Sequence, residues 1–177
     1  MRIFVGLDLP SEIRQRISVF MGDLRRRVPD AKWVSPESLH VTLKFIGERP
    51  EEQVKKISPA LASVHVAPFE IGFRQYGFFP ATGSARVFWI GVEAGERLRE
   101  LAHMVDEVAA SFGVEPEKAY APHLTLARTR SPQRRPVRKP VREPHSGEQN
   151  ARIQAELAAA PQPEFGTMTA RDFFLFV

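Results

Sequence analysis

The chain of 177 residues contains no cysteine. Disulfides and zinc–thiolate sites are therefore excluded, and a reducing cytoplasm is the expected compartment. Long apolar runs are missing too. The opening Ile3–Leu7 run is ended by Asp8 and Pro10, so no secretory leader is expected there. No stretch approaches the about 20 apolar residues of a membrane span. A soluble monomer of one domain, residues 1–177, is expected, because 43% hydrophobic residues over this length suffice for a core without staples.

Charge is present but unevenly spread. Residues 128–150 hold seven Lys/Arg and two acids, a local +5, whereas the whole chain carries only +4. A basic segment on a near-neutral body suits a polyanionic partner, and a solvated loop explains it equally well. The Pro- and Arg-rich composition of 130–150 reads as a mobile loop.

Hydrophobic spacing divides the rest into elements. Ile3–Leu7 reads as a buried strand. Ser11 is expected to cap a helix over 12–27 whose Ile13, Ile17, Phe20 and Leu24 share one face. Leu39–Ile46 is a strand closed by Gly47, and 51–64 a helix that Pro59 should kink or break. Phe69–Phe79 is a strand with an interruption expected near Gly77, followed by a turn at Pro80–Gly83 and a strand over Arg86–Val92. Glu96–Phe112 is the clearest helix. Tyr120–Ala127 is a strand, Ala151–Ala159 a short helix, and Arg171–Val177 a last strand. The expected class is α+β and bilobal. Two antiparallel-rich sheets face a central cleft with helices outside, related by a pseudo-two-fold internal duplication.

The duplication rests on one pattern. Leu39-His40-Val41-Thr42-Leu43 in the first half is echoed by Pro122-His123-Leu124-Thr125-Leu126 in the second. Residues i and i+2 of a strand share a face. His40 therefore pairs with Thr42, opposite Val41, Leu43 and Phe45, which should enter the core. His123 pairs with Thr125, opposite Leu124 and Leu126. Two such polar faces meeting would supply two imidazoles and two hydroxyls. Splitting a phosphodiester needs a base for the attacking oxygen and an acid for the leaving one, and histidine serves either role. Hydroxyls can donate to phosphate oxygens, so neither metal nor cofactor is expected. His65, His103 and His145 show no ligand spacing with the pair.

Other residues are ambiguous. Strict alternation turns Arg128 away from His123 unless the strand ends or bulges near Ala127. Lys44 shares the His40 face as a solvated rim lysine. Tyr76, Phe78, Phe79 and Trp89 are candidates to stack bases, although one of Phe88 and Trp89 must be core, and Trp33 fits either role. The arm at 130–142 is a candidate to follow an RNA backbone.

The sequence resembles the 2H phosphoesterase superfamily, and within it the bacterial RNA 2′,3′-cyclic phosphodiesterases, also called 2′-5′ RNA ligase-like proteins. The landmarks are Met1-Arg2-Ile3-Phe4-Val5-Gly6-Leu7-Asp8-Leu9-Pro10, Leu43-Lys44-Phe45-Ile46-Gly47-Glu48 after the first motif, Arg86-Val87-Phe88-Trp89, and Leu126-Ala127-Arg128 after the second. The resemblance implies hydrolysis of RNA ending in a 2′,3′-cyclic phosphate, tRNA fragments included. His123 would activate water, His40 would protonate the leaving 3′ oxygen, and Thr42, Thr125 and Arg128 would hold phosphate. Exchanged histidine roles would give the 3′-phosphate, and spacing does not choose between them. The reverse reaction would be 2′-5′ ligation. Small cyclic phosphates, 2′-5′ oligonucleotides and a non-catalytic RNA-binding module are the competing readings. Family members usually continue past a strand like Phe173–Val177 with a further strand, so a missing sheet edge is expected.

Overall fold

The structure is a computed structural model and describes residues 1–82, 84–129 and 148–177. The arm expected at 130–142, and the loop as far as 147, lie outside the described residues. The chain begins with strand β1 (Arg2–Asp8), helix α1 (Ser11–Arg27) and the short strand β2 (Lys32–Trp33). One 3₁₀ turn (Pro36–Ser38) leads into β3 (His40–Glu48), followed by α2 (Glu51–Ala62), β4 (Phe69–Phe79), β5 (Val87–Glu93) and α3 (Gly95–Ser111). The second half ends with β6 (His123–Arg128), α4 (Glu148–Leu157), β7 (Glu164–Ala170) and β8 (Phe174–Phe176).

Two antiparallel sheets result, β3-β1-β8 and β2-β6-β5-β4-β7, which bears out the α+β class. The helices cross between halves. α1 packs on β7 of the larger sheet, and α3 packs on β3 of the smaller one. Each apolar stripe is buried as its spacing requires: Ile13, Ile17, Met21 and Leu24 on α1, and Leu98, Leu101, Ala102, Val105 and Ala109 on α3. Burying each large side chain contributes about 1.5–3 kcal/mol. Together these residues form one continuous core with Val41, Leu43, Leu124 and Leu126.

Several local expectations are corrected. Ser11 is the first helical residue rather than the cap. Pro10 takes the cap position, and no side chain caps that end. α2 continues through Pro59, which stands in its last turn. β4 is interrupted at Gln75, whose φ is +62°, and not at Gly77. α4 starts at Glu148, inside the stretch read as loop, because Gln149 and Asn150 are buried and bond to the carbonyls of Asp30 and Ala85. β7 has no clear period in the sequence, and the expected last strand shrinks to β8.

The largest correction is Phe45, which is 50% exposed, and Lys44, which is only 3% exposed. β1 pairs Gly6 with Thr42 but Val5 with Lys44, so Leu43 is an extra residue in β3. This bulge reverses the alternation that would have put Phe45 in the core and Lys44 on the rim. Buried Lys44 instead places Nζ 2.5 Å from Asp106 Oδ1 and donates to the Glu115 carbonyl at 2.7 Å.

Candidate active site

His40 begins β3 and Thr42 follows on the same face; His123 begins β6 with Thr125 beside it, and all four are half-buried. The two strands belong to different sheets yet pack against each other. Tyr120, just before the second motif, donates its hydroxyl to the Thr42 carbonyl at 2.9 Å and so bonds the second half to the first motif strand. Burial raises the Tyr120 phenol well above its ordinary range, which keeps that donor protonated.

The two imidazoles have matching settings. His40 Nδ1 lies 2.6 Å from the Ser38 carbonyl, and His123 Nδ1 lies 2.7 Å from the Ala121 carbonyl. A carbonyl only accepts, so Nδ1 carries the proton in both rings and each neutral ring keeps a free lone pair on Nε2. Burial lowers both histidine pKa values. The carbonyl bonds oppose this, and the Arg128 charge adds to the lowering at both rings. Near pH 7 the free site therefore holds both rings mainly neutral.

Arginines brace the segments that present these carbonyls. Arg14, directly after the first buried residue of α1, donates to the carbonyls of Pro36 (2.7 Å) and Leu39 (3.2 Å) and pairs with Asp8. Arg99, directly after the first buried residue of α3, donates to the Tyr120 carbonyl at 3.1 Å. Sequence reasoning missed both, and the shared Ile13-Arg14 and Leu98-Arg99 pattern was the available signal.

Arg128 stands on the histidine side, by the route its position required. β5 pairs Phe88 with Ala127 but Trp89 with Thr125, so Leu126 is an extra residue, Leu126 and Ala127 are both buried, and Arg128 returns to the motif face. Phe88 is the core residue of its pair, stacked on Phe78, with Trp33 and Tyr76 packed around it. Trp89 lies beside Thr125 on the motif face, against Phe79, whose ring meets His123 edge-on at 5.1 Å. Gly77 opposite Trp89 leaves room for the indole.

On the His40 side, Phe4 lies 4.4 Å from the imidazole between ring centroids, and Phe176 lies 5.6 Å away. A separate cavity of about 360 Å³, lined by Leu61, His65, Phe69 and Phe173 among others, contains none of the motif residues. Among the described residues, no helix is long and apolar enough to cross a membrane. The arrangement offers two Nε2 atoms for proton transfer, two hydroxyl donors and one guanidinium, a set suited to a phosphate ester.

Comparison with known proteins agrees with this chemistry. The chain is 35% identical over 175 residues to the RNA 2′,3′-cyclic phosphodiesterase of Archaeoglobus fulgidus, covering 99% of this chain and 89% of that one. It is 35% identical over 134 residues to the protein of that name from Methanothermobacter thermautotrophicus, covering 75% and 73%. Among solved structures, a Thermus thermophilus protein superposes with a TM-score of 0.71 at 27% identity, over 99% of this chain and 87% of that one. E. coli LigT complexed with 3′-AMP gives 0.71 at 25% identity, over 98% and 86%. The model of the LigT-like phosphoesterases matches twice, over residues 7–89 and 90–165. One match falls on each half, each with its own His-x-Thr strand, and the chain belongs to the LigT-like phosphoesterase family.

Proposed function

We propose that the chain hydrolyses the 2′,3′-cyclic phosphate at the end of an RNA to a 2′-phosphate, with His123 as base and His40 as acid. The matched Nδ1–carbonyl bonds of the two histidines, with Arg128 charging the space near both, carry this reading. The names of the relatives supply the substrate class.

The bound phosphodiester is an anion. Its charge offsets the burial and the Arg128 charge that keep both rings neutral, so one imidazole takes up a proton as substrate enters. His123 Nε2 removes a proton from water while the water oxygen bonds to phosphorus. The bond from phosphorus to O3′ breaks, and His40 Nε2–H protonates O3′. The products are a 2′-phosphate and a 3′-hydroxyl, and the two histidines return to their starting states by proton exchange with solvent. Thr42 and Thr125 donate to the non-bridging oxygens, and Arg128 balances their charge. With a 5′-hydroxyl in place of water, the same step forms a 2′-5′ bond: His123 removes the hydroxyl proton as O5′ bonds to phosphorus, the bond from phosphorus to O3′ breaks, and His40 protonates O3′. The chain acts as a monomer, and its two halves work as one unit because each supplies one histidine.

The test is hydrolysis of a short RNA bearing a 2′,3′-cyclic phosphate, in EDTA, with the product phosphate position read by ³¹P NMR. Turnover to the 2′-phosphate is expected in wild type, with a loss of at least about 10²-fold in kcat for His40→Ala and for His123→Ala. Abolition of wild-type activity by EDTA, or full activity in either variant, refutes the mechanism.

A further inference from the structure

The smaller sheet carries an exposed row of phenylalanines beside His40. Phe4 of β1 is paired in register with Phe45 of β3 on one side and Phe176 of β8 on the other. Phe174 is paired with Gly6, one step along the same face. The rings form a connected surface. Phe4 and Phe176 are stacked at 4.8 Å, Phe45 lies 5.8 Å from Phe4, and Phe174 lies 6.2 Å from Phe176. His40 adjoins both Phe4 and Phe176. This face is not core: Phe45 and Phe174 are 50% and 49% exposed, whereas the neighbours on the other face, Ile3 and Val5, are fully buried.

An exposed aromatic row is unfavourable in water unless something covers it. The row is continuous with the His40 imidazole, so a ligand whose phosphate sits at His40 has this aromatic surface directly beside it. Every nucleobase has a π-face, and sheets that bind single-stranded RNA present aromatic side chains in this way. Gly6 sits among these rings without a side chain. A Cβ there would lie 2.8 Å from the Val41 carbonyl oxygen and 3.5 Å from Phe176, so the surface is kept low between Thr42 and Phe174.

We propose that Phe45, Phe4, Phe176 and Phe174 form a stacking platform for the terminal nucleobases of the RNA whose phosphate lies between the two motifs. This rests on the RNA reading of the site and deepens it. The phosphate is held by polar groups shared between the halves, while the bases lie on the smaller sheet. Substrates with a base next to the cyclic phosphate are then favoured over those without one, largely through binding.

The test separates binding from chemistry. A short RNA ending in a 2-aminopurine nucleotide with a 2′-phosphate does not react and reports stacking by its fluorescence. Quenching is expected on wild type and on His40→Ala, with affinity about tenfold or more weaker for Phe45→Ala and Phe174→Ala. Phe45→Leu, which keeps apolar bulk without a π-face, should be weakened nearly as much. With cyclic-phosphate substrate, the same variants should show a raised KM and a kcat within about twofold of wild type. An abasic terminus should be insensitive to them. Equal affinity of the phenylalanine variants and wild type overturns the proposal. So does loss of a dimer in Phe45→Ala with RNA affinity unchanged, which would make the face a contact between copies. Base-dependent binding without hydrolysis by wild type would keep the platform and sink the catalytic reading instead.

Discussion

Gly77→Ala is the sharpest test of the site's second half. A Cβ built at Gly77 lies 2.2, 2.4 and 2.8 Å from Cζ2, Cη2 and Cε2 of Trp89. Ordinary contact begins near 3.4 Å, so the indole must retreat by at least about 1.2 Å. An indole is rigid, and its retreat is limited because it packs against Phe79 at 5.0 Å, which in turn touches His123. Overpacking of this kind costs about 1–3 kcal/mol. For a chain of this length that corresponds to a Tm lower by roughly 2–12 °C. Trp89 is also the register partner of Thr125, so an ångström-scale shift should lower kcat by about tenfold or more. Urea denaturation and steady-state kinetics measure both effects. The clash also predicts coupling: Trp89→Leu removes the atoms that collide, so adding Gly77→Ala to it should cost far less than in wild type. Additive losses, or a Gly77→Ala protein of unchanged stability and activity, would refute the geometry.

Three further outcomes are expected. Burial lowers the folded-state pKa of His40 and His123 below the ordinary 6.5, so in the range just below that value the unfolded chain binds more protons. Stability should therefore fall as pH drops from about 7.5 to about 5.5, and His40→Gln/His123→Gln should flatten that slope in urea titrations at both pH values. Lys44→Ala leaves the Asp106 carboxylate without its cation and should cost about 3–5 kcal/mol in urea denaturation, with Lys44→Met less damaging because it refills the volume. Arg14→Gln removes the brace on Pro36 and Leu39 and should lower kcat by about tenfold. Arg99→Gln, which loses one exposed bond, should lower it less, as saturating kinetics would show.

The α+β class, the two His-x-Thr strands and most helix faces were legible because they follow period. Alternation placed His40 with Thr42 and His123 with Thr125, and four-three spacing placed Ile13, Ile17 and Leu24. What sequence could not supply were departures from period. Alternation puts Phe45 and Lys44 on the wrong faces because a bulge is a property of the paired strand β1 as much as of β3. β7 escapes a periodic reading because Glu164–Ala170 alternates only weakly, with Gly166 at a φ of +107° in its middle. Tyr120, Arg14 and Arg99 act through backbone carbonyls distant in sequence, and the shared Ile13-Arg14 and Leu98-Arg99 pattern marks the two arginines without naming the carbonyls they reach.

The two bulges together explain how a duplicated motif builds an unsymmetrical site. Each falls directly after the motif threonine, at Leu43 and at Leu126. Each therefore buries the next residue and returns the one after it to the motif face. The buried residues are Lys44 and Ala127, and the returned ones are Phe45 and Arg128. The backbone repeats while the chemistry diverges: the first half presents an aromatic ring at the position where the second presents a guanidinium. A second arginine in place of Phe45 would put another cation on the His40 face. It would oppose protonation of the imidazole that must act as acid, and remove one end of the aromatic row. If His40 is the acid, one shared cation is the better arrangement, since Arg128 already acts on both rings and the bound phosphate can offset it. Phe45→Arg should then weaken base-dependent binding and lower kcat together, whereas Phe45→Ala affects binding alone. Equal kcat in the two variants would show that charge at this position does not reach His40.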